Sequence, residues 1–334
     1  MKFLCVLCVL CGFQGFALDR EAFTFTNYDL DVRVEPEQQR FAVRGKLTLR
    51  NDSASAQKNL SLQISSTLDW RSIQLAGKPV QFVSQPYTSD IDHTGALSEA
   101  IVTLPLAVPP KDTINLEIGY EGTIPLDATR LARIGVPEEL ARHSDWDQIG
   151  KSFTAVRGIG YVVWYPVATE AANLSEGNSV FAATGRWKSR ESESSMKIHL
   201  GTPVLAADAL APVIRCSGES IYIVTRGGSP KFPELDCTYS RLNFVEPVFA
   251  IADFDLLERP TTQVYYLAEH KDAAENYVLA ADLALSFVQD WVGQPHEKIQ
   301  LLELADRDAA PFESGSIVLT PLGRTDSALA RLTA

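Results

Sequence analysis

The sequence has 334 residues, of which 46% are hydrophobic, and its formal net charge is −12. A chain of this length and hydrophobic content can bury a sizeable core and is expected to form two domains. The negative charge, together with the lack of a long Lys/Arg run, argues against a surface for nucleic acid or for an anionic membrane.

The N-terminus has the layout of a secretory signal peptide covering residues 1–17. Lys2 provides a short basic start, an apolar run follows, and the small residues Gly15 and Ala17 precede a cut before Leu18. An uncleaved membrane anchor is the alternative, although the apolar run is too short to span a bilayer. No later stretch is long and apolar enough to span one, so we expect an exported protein without a membrane span in its mature chain.

Cysteine usage agrees with export. Once the signal peptide is removed, only Cys216 and Cys237 remain. An even pair in an exported protein predicts one disulfide, which would stabilise the fold by about 3 kcal/mol. The alternative is a thiol pair that binds metal, but two cysteines alone cannot complete a zinc site.

Residues 18–267 predict an antiparallel β-sandwich, because short segments alternate between apolar and polar residues and are separated by turn residues. The apolar positions of the first four strands are Tyr28, Leu30, Val32 and Val34, then Phe41, Val43, Leu47 and Leu49, then Leu60, Leu62 and Ile64, then Ile114, Leu116, Ile118 and Tyr120. Further strands are predicted at 196–200, 221–224 and 264–267. An insertion from Pro125 to Gly150 interrupts this rhythm and could include a short helix.

The periodicity changes near residue 268. Asp272 and Glu275 suggest a capping box, apolar residues then recur at helical spacing as far as Trp291, and Gly293 stands where a helix commonly ends. Strands are predicted at 299–304 and 316–320. The predicted fold class is therefore mainly β, with the sandwich followed by the incomplete start of an α/β domain over residues 268–334.

The last residues favour a further helix. Thr325 and Asp326 are good N-cap residues and the segment 328–332 is rich in helix formers, but no Gly, Asn or Pro follows to end such a helix. We therefore expect the sequence to be the N-terminal portion of a longer protein.

Several segments, taken in order, resemble the aminopeptidase N-like zinc metallopeptidases of peptidase family M1. The segments 28–36 and 41–49 resemble the opening strands of that family, and the segments 265–291 and 298–304 resemble the start of its thermolysin-like catalytic domain. The segment 310–318 falls where the family has a Gly-x-Met-Glu-Asn strand. The resemblance implies a zinc-dependent enzyme that removes N-terminal residues from peptides, with the sandwich domain limiting access to its cleft.

In that family the zinc is held by a helix with the motif His-Glu-x-x-His, because two histidines at i and i+4 share one helical face. The histidines here are His93, His143, His199, His270 and His296, and no two have that spacing. We interpret all five as surface or loop residues. We therefore expect the zinc ligands of the full-length protein to follow Ala334, and we expect no catalytic zinc or catalytic residue in this chain.

Glu313 matches the family glutamate that pairs with the free α-amine of a peptide, and Phe312 and Ser314 beside it are the other predicted substrate contacts. Phe312 stands in place of Met, and Ser314 in place of Asn. The Gln or Glu that normally shares the amine is absent before the motif Trp164-Tyr-Pro166, and Glu170 is the candidate to replace it. The simpler alternative makes Glu313 a solvated loop residue.

Two other functions remain open from the sequence. The chain could be a non-catalytic module that binds a peptide or a partner protein, or it could belong to a relative of the family that has lost its zinc ligands. A reading frame that continues into His-Glu-x-x-His would favour the peptidase.

Overall fold

The structure is a computed structural model that describes residues 18–203, 212–223, 233–242, 244–293 and 298–322. The predicted signal peptide, His296 and the predicted helix after Thr325 lie outside these residues. None of the described helices is both long and apolar enough to cross a bilayer.

An eight-stranded sheet forms the largest layer. Its strands are β1 (Phe23–Glu35), β2 (Arg40–Asn51), β4 (Leu68–Leu75), β5 (Lys78–Pro79), β8 (Thr113–Gly122), β11 (Ser195–Gly201), β13 (Glu219–Ile223) and β14 (Glu234–Tyr239). Their spatial order is β13-β14-β11-β1-β2-β8-β4-β5. In β1 the apolar residues predicted to face inward are buried while Asp29 and Asp31 are exposed, which confirms the alternation that the sequence predicts.

One pairing in this sheet departs from the predicted antiparallel arrangement. Strand β1 pairs in parallel with β11, with Asn27 opposite Ser195 and Arg33 opposite Gly201. A parallel neighbour requires a long crossover connection. The stretch between the two strands supplies one, since it contains most of the remaining strands of the sandwich.

Two smaller sheets complete the N-terminal part. A three-stranded sheet contains β3 (Gln57–Ser65), β6 (Gln81–Thr88) and β7 (Ala96–Val108), and a four-stranded sheet contains β9 (Gln148–Ile149), β10 (Phe153–Val156), β12 (Val213–Cys216) and β15 (Phe249–Ala252). The predicted disulfide between Cys216 and Cys237 is present and joins β12 to β14. It therefore ties the four-stranded sheet to the eight-stranded sheet.

The segment Trp164-Tyr-Pro166 lies in the core of the sandwich. Trp164 and Tyr165 are both fully buried, and the Trp164 ring meets the rings of Phe41 and Phe249 edge to face. The Tyr120 hydroxyl donates a hydrogen bond of 2.8 Å to the carbonyl oxygen of Trp164. The buried aromatic rings and the hydrogen-bonded Trp164 carbonyl fix this segment, so the loop that precedes it is held in place as well.

Helices interrupt the sandwich in two places. The predicted insertion contains α1 (Thr129–Arg133) and α2 (Glu138–Ser144). A third helix, α3 (Ser179–Arg190), was not predicted from the sequence.

The C-terminal part is a five-stranded sheet with one long helix. Its elements are β16 (Asp255–Glu258), β17 (Thr262–Tyr266), α4 (Lys271–Val292), β18 (Ile299–Glu303), β19 (Phe312–Ser314) and β20 (Ile317–Thr320), and the strand order is β16-β17-β18-β20-β19. Strands β16 and β17 precede residue 268, so this sheet contains strands from both sides of the predicted domain boundary. The position of that boundary stays a prediction. Helix α4 begins with His270 at the N-cap and no side-chain capping bond, so the predicted capping box does not form. The predicted end at Gly293, where φ is +89°, is confirmed.

The five-stranded sheet packs on both faces. Val264 and Leu301 pack with Tyr277 on the side of α4, while Tyr265 and Leu302 pack with Trp146 on the side of the sandwich. The two parts of the chain therefore share an apolar interface, and the candidate site lies at one edge of that interface.

Candidate functional site

A cleft of about 480 Å³ lies where the edge of the five-stranded sheet meets the sandwich. Its lining comes from α1, the loop before Trp164, helix α3, the loop before β15, and strand β19. The lining residues are Arg130, Leu131, Ile159, Gly160, Tyr161, Leu174, Val180, Phe181, Thr184, Lys188, Phe244, Glu246, Phe312, Glu313, Ser314 and Gly315. All three residues predicted on β19 thus lie in one cavity, of a volume that suits a small ligand or part of a peptide.

Glu313 lies on the edge strand of its sheet. Strand β19 pairs with β20 on one side, with Glu313 opposite Val318, and it ends the strand order on the other. A tight turn at Gly315, where φ is +60°, joins the two strands, and a left-handed residue there favours glycine. The Glu313 carboxylate is exposed and has no hydrogen bond or ion pair to any residue that the structure describes.

Phe312 and Ser314 fix this strand against the sandwich. The Phe312 ring meets the Tyr161 ring edge to face, with centroids 5.3 Å apart. The Ser314 hydroxyl donates a hydrogen bond of 2.8 Å to the carbonyl oxygen of Glu246. Both residues line the cleft, and their contact with a substrate stays a prediction.

A buried ion pair supports the loop that faces β19. The side chains of Arg157 and Asp147 are 2.6 Å apart at their closest atoms, and the whole Arg157 residue is only 2% exposed. Asp147 also accepts a hydrogen bond of 2.6 Å from the backbone N–H of Arg157. The Arg157 guanidinium lies 3.6 Å from the centroid of the Tyr161 ring and 4.0 Å from that of Trp146, so this one cation holds both rings in place.

Glu246 and Lys188, which both line the cleft, form a second ion pair. Lys188 Nζ lies 3.1 Å from Glu246 Oε2. Burial is the main influence on Glu246 and raises the pKa of its carboxyl, while the Lys188 ammonium acts in the opposite direction. A Cβ on Gly158 would come within 3.1 Å of Glu246 Cγ and 2.7 Å of the Tyr165 hydroxyl, so glycine permits this close packing of the cleft floor.

Arg130, which lines the cleft from α1, forms a further ion pair with Asp145. Its guanidinium donates to both carboxylate oxygens of Asp145, at 2.8 and 2.7 Å, and its other terminal nitrogen donates to two backbone carbonyls. Burial opposes the charge of Arg130, but the carboxylate of Asp145 raises its pKa overall. This arginine is therefore fully occupied in holding α1 to the sandwich.

Glu170, the other carboxylate predicted to approach a substrate amine, is not part of the cleft. Its side chain is 50% exposed and lies 3.6 Å from Arg20 at the closest atoms. The other carboxylate in the cleft lining is instead that of Glu246, which was not predicted. Glu246 is the one acidic residue in the otherwise apolar segment Phe244-Val-Glu-Pro247. An acidic residue in an apolar run was the signal by which the sequence could have indicated it.

The histidines are dispersed, as their spacing predicts. His143, His199 and His270 each lie against a carboxylate, from Asp306, Asp236 and Glu303 respectively. His93 was expected at the surface or in a loop, and it lies in a turn but is completely buried. Its backbone is part of the reason, since the His93 N–H donates to the Tyr161 carbonyl and its own carbonyl accepts from Arg130 N–H.

Within the described residues, one group could hold a metal ion: His143, Asp306 and Asp308, whose candidate ligand atoms all lie within 4.8 Å of one another. His143 Nδ1 is already 2.5 Å from Asp306 Oδ2, and this carboxylate raises the pKa of the imidazole. One histidine and two aspartates do not match a site built from two histidines on one helix and a further glutamate. The described residues therefore do not fit the catalytic zinc of the resembled family.

Comparison with solved structures decides the fold. An M1 zinc metallopeptidase from Deinococcus radiodurans matches with a TM-score of 0.51 at 16% identity, covering 95% of this chain and 64% of that one. A glutamate-to-alanine variant of an enzyme with the same description, bound to a Tyr-Ser-Ala substrate, matches with a TM-score of 0.51 at 15% identity. Yeast LTA4 hydrolase matches with a TM-score of 0.55 at 12% identity, covering 93% of this chain and 43% of that one.

The fold is that of the M1 zinc metallopeptidases. This confirms the mainly β arrangement and the resemblance in fold that the sequence indicates. The chain spans less than two thirds of the length of these structures, at 65% of the substrate-bound Deinococcus enzyme. No protein-family model matches the sequence, and no characterised protein matches it at the sequence level.

Proposed function

We propose that this chain supplies the substrate-amine side of the cleft in an exported zinc aminopeptidase of the M1 type. The observation that carries the proposal is the position of Glu313, an exposed carboxylate without a described partner, on the edge strand that borders a cleft. A carboxylate in that position favours a protonated amine over the neutral amide found inside a peptide chain. Selection of a free amine is what restricts a peptidase to the N-terminal residue.

The free side of β19 suits an extended peptide. A strand at the edge of a sheet presents backbone N–H and C=O groups that a peptide can pair with, which is β-augmentation. In this proposal the peptide lies along β19 with its amine at Glu313. Phe312 and Tyr161 then form an aromatic wall beside its first residue.

Zinc chemistry is assigned to the full-length protein and not to the described residues, which offer no pair of histidines for it. When bound in such an enzyme, zinc activates a water molecule for attack on the peptide bond. The residues described here bind and orient the peptide. Glu313 holds its amine, β19 pairs with its backbone, and the Arg157–Asp147 pair keeps the loop of Tyr161 in place. Export is proposed from the signal-like N-terminus.

A second candidate function is a peptide-binding module without catalysis. The dispersed histidines favour it, because they leave the described cleft without the ligands of a catalytic zinc. The two candidates share the same peptide-binding cleft. They differ in whether the full reading frame contains a His-Glu-x-x-His segment.

The proposal is tested by comparing a tripeptide that has a free amine with its N-acetylated form, using calorimetry or NMR titration of the 334-residue chain. We expect the free amine to bind about tenfold more tightly, because a charge-assisted hydrogen bond is lost on acetylation. Glu313→Gln should remove this preference. Glu37→Gln, an exposed glutamate outside the cleft, is the matched control and should retain it.

Equal binding of the two peptides, with or without Glu313, would contradict the proposed amine site. Hydrolysis is tested separately on the full reading frame, by zinc stoichiometry and by activity on aminoacyl anilides with and without a chelator. An absence of chelator-sensitive activity in the full-length protein, with retained amine selectivity, would favour the binding module.

A further inference from the structure

The charges that line the cleft are not equally available to a ligand. Arg130 is paired with Asp145, and Lys188 with Glu246, so these two cations are neutralised by carboxylates within the protein. Glu313 is the lining carboxylate without a partner among the described residues. The Glu313 carboxylate on β19 is thus the one charge in the described lining that is available to a ligand.

Much of the remaining lining is apolar, and two of its large residues are exposed. Phe181 on α3 is 77% exposed and Phe244 is 71% exposed, although both are large aromatic residues. Val180 and Ile159 continue the apolar surface inward and are nearly buried. A cluster of exposed large apolar side chains at the mouth of a cleft indicates a binding surface, whereas isolated ones need no explanation.

Helix α3 forms this wall because of its helical spacing. Phe181, Thr184 and Lys188 follow one another at intervals of three and four residues and all line the cleft. The loop on the opposite side turns at Gly160, whose φ of +97° favours glycine. A Cβ there would lie 3.4 Å from Thr184 Cγ2.

From this arrangement we infer that the cleft selects a peptide whose N-terminal residue has a large apolar side chain, recognised by Phe181 and Phe244 while Glu313 binds the amine. The inference rests on the proposed function and adds the class of substrate. An acidic N-terminal side chain is disfavoured because it would share the cleft with Glu313. A basic one is disfavoured because its charge would lose water against Phe181 and Phe244, while Glu313 is already engaged by the amine.

The test measures binding of five amino-acid amides to the 334-residue chain by NMR titration: phenylalaninamide, leucinamide, glycinamide, argininamide and glutamic acid α-amide. We expect phenylalaninamide and leucinamide to bind about tenfold more tightly than the other three, from the apolar area that they bury. Phe181→Ala and Phe244→Ala should each reduce this preference and leave the affinity for glycinamide unchanged. Both residues are exposed, so the variants are expected to fold normally.

Leu140→Ala is the matched control, since Leu140 is an exposed apolar residue of α2 that does not line the cleft. It should leave every affinity unchanged. Equal binding of phenylalaninamide and argininamide, or full retention of the preference in the double variant of Phe181 and Phe244, would overturn the inference alone. Equal binding of phenylalaninamide and N-acetyl-phenylalaninamide would instead overturn the proposed amine site, so the two failures can be told apart.

Discussion

The hydroxyl of Ser314 donates a hydrogen bond of 2.8 Å to the carbonyl oxygen of Glu246, and this contact joins the strand that carries Glu313 to the loop that carries the cleft's buried carboxylate. Ser314 is 6% exposed, so water cannot readily replace the bond if the hydroxyl is removed. The two sides of the cleft are thus fixed relative to each other through this polar contact, reinforced by the edge-to-face contact of Phe312 with Tyr161.

We expect Ser314→Ala to lower the free energy of unfolding by about 1 kcal/mol, because it removes a hydrogen bond and leaves a carbonyl without this donor. Urea denaturation followed by fluorescence measures the change. Ser175→Ala, in an exposed loop, serves as the control and should change stability by less than about 0.5 kcal/mol. An identical stability for Ser314→Ala and wild type would mean that the contact does not hold β19.

The Arg157–Asp147 pair should be sensitive to the loss of one member. Asp147→Asn leaves the buried guanidinium without its counter-charge, and breaking a buried pair in this way costs about 3–5 kcal/mol. Chemical denaturation is again the measurement. Glu138→Gln, which breaks the exposed pair between Glu138 and Arg142, is the control and should have an effect below about 1 kcal/mol.

A pH dependence is expected from Glu191. Burial raises the pKa of this carboxyl to about 7, and the neighbouring Arg190 only partly opposes the shift. The folded protein therefore holds a proton that the unfolded chain releases near pH 4.3, so stability falls as the pH rises from about 4.3 to about 7 and is then constant.

Glu191→Gln should remove this contribution. The difference in unfolding free energy between wild type and the variant should change by an amount on the order of 3 kcal/mol between pH 4.5 and pH 8, with wild type losing stability. Urea denaturation at five or six pH values in that interval measures it. Parallel curves for the two proteins would show that Glu191 titrates alike in the folded and unfolded states.

The disulfide between Cys216 and Cys237 closes a loop with a sequence separation of 21 residues. Chain-entropy arguments give a loop of this size about 3 kcal/mol of stabilisation. We therefore expect the double substitution to Ser to lower the midpoint of thermal unfolding, and a reducing agent to do the same for wild type but not for the double variant. Unchanged midpoints in all four conditions would contradict a stabilising role.

Much of the local structure could be predicted from the sequence because the determining residues are neighbours. Alternation of Leu30 and Val32 with Asp29 and Asp31 predicted a strand with one buried face, and the structure has that face buried. Helical spacing and Gly293 predicted the long helix and its end, and two remaining cysteines left one possible pairing. Helix α3 was missed although Val180, Ala183 and Trp187 recur at helical spacing, because the helix has only 12 residues and contains Gly185, which disfavours a helix. The parallel pairing of β1 with β11 was missed because it depends on a distant segment.

The sequence by itself determined many of the strands, the long helix α4 and its end, the pairing of two cysteines, and the glutamate at position 313. Tertiary structure decided what surrounds that glutamate: it brought Phe181, Lys188 and Glu246 to the same cleft and left Glu170 outside it. The physical reason is range. Backbone periodicity and turn chemistry act over a few residues, whereas a cleft depends on how separate sheets pack, and that packing follows from shape and burial across the whole core.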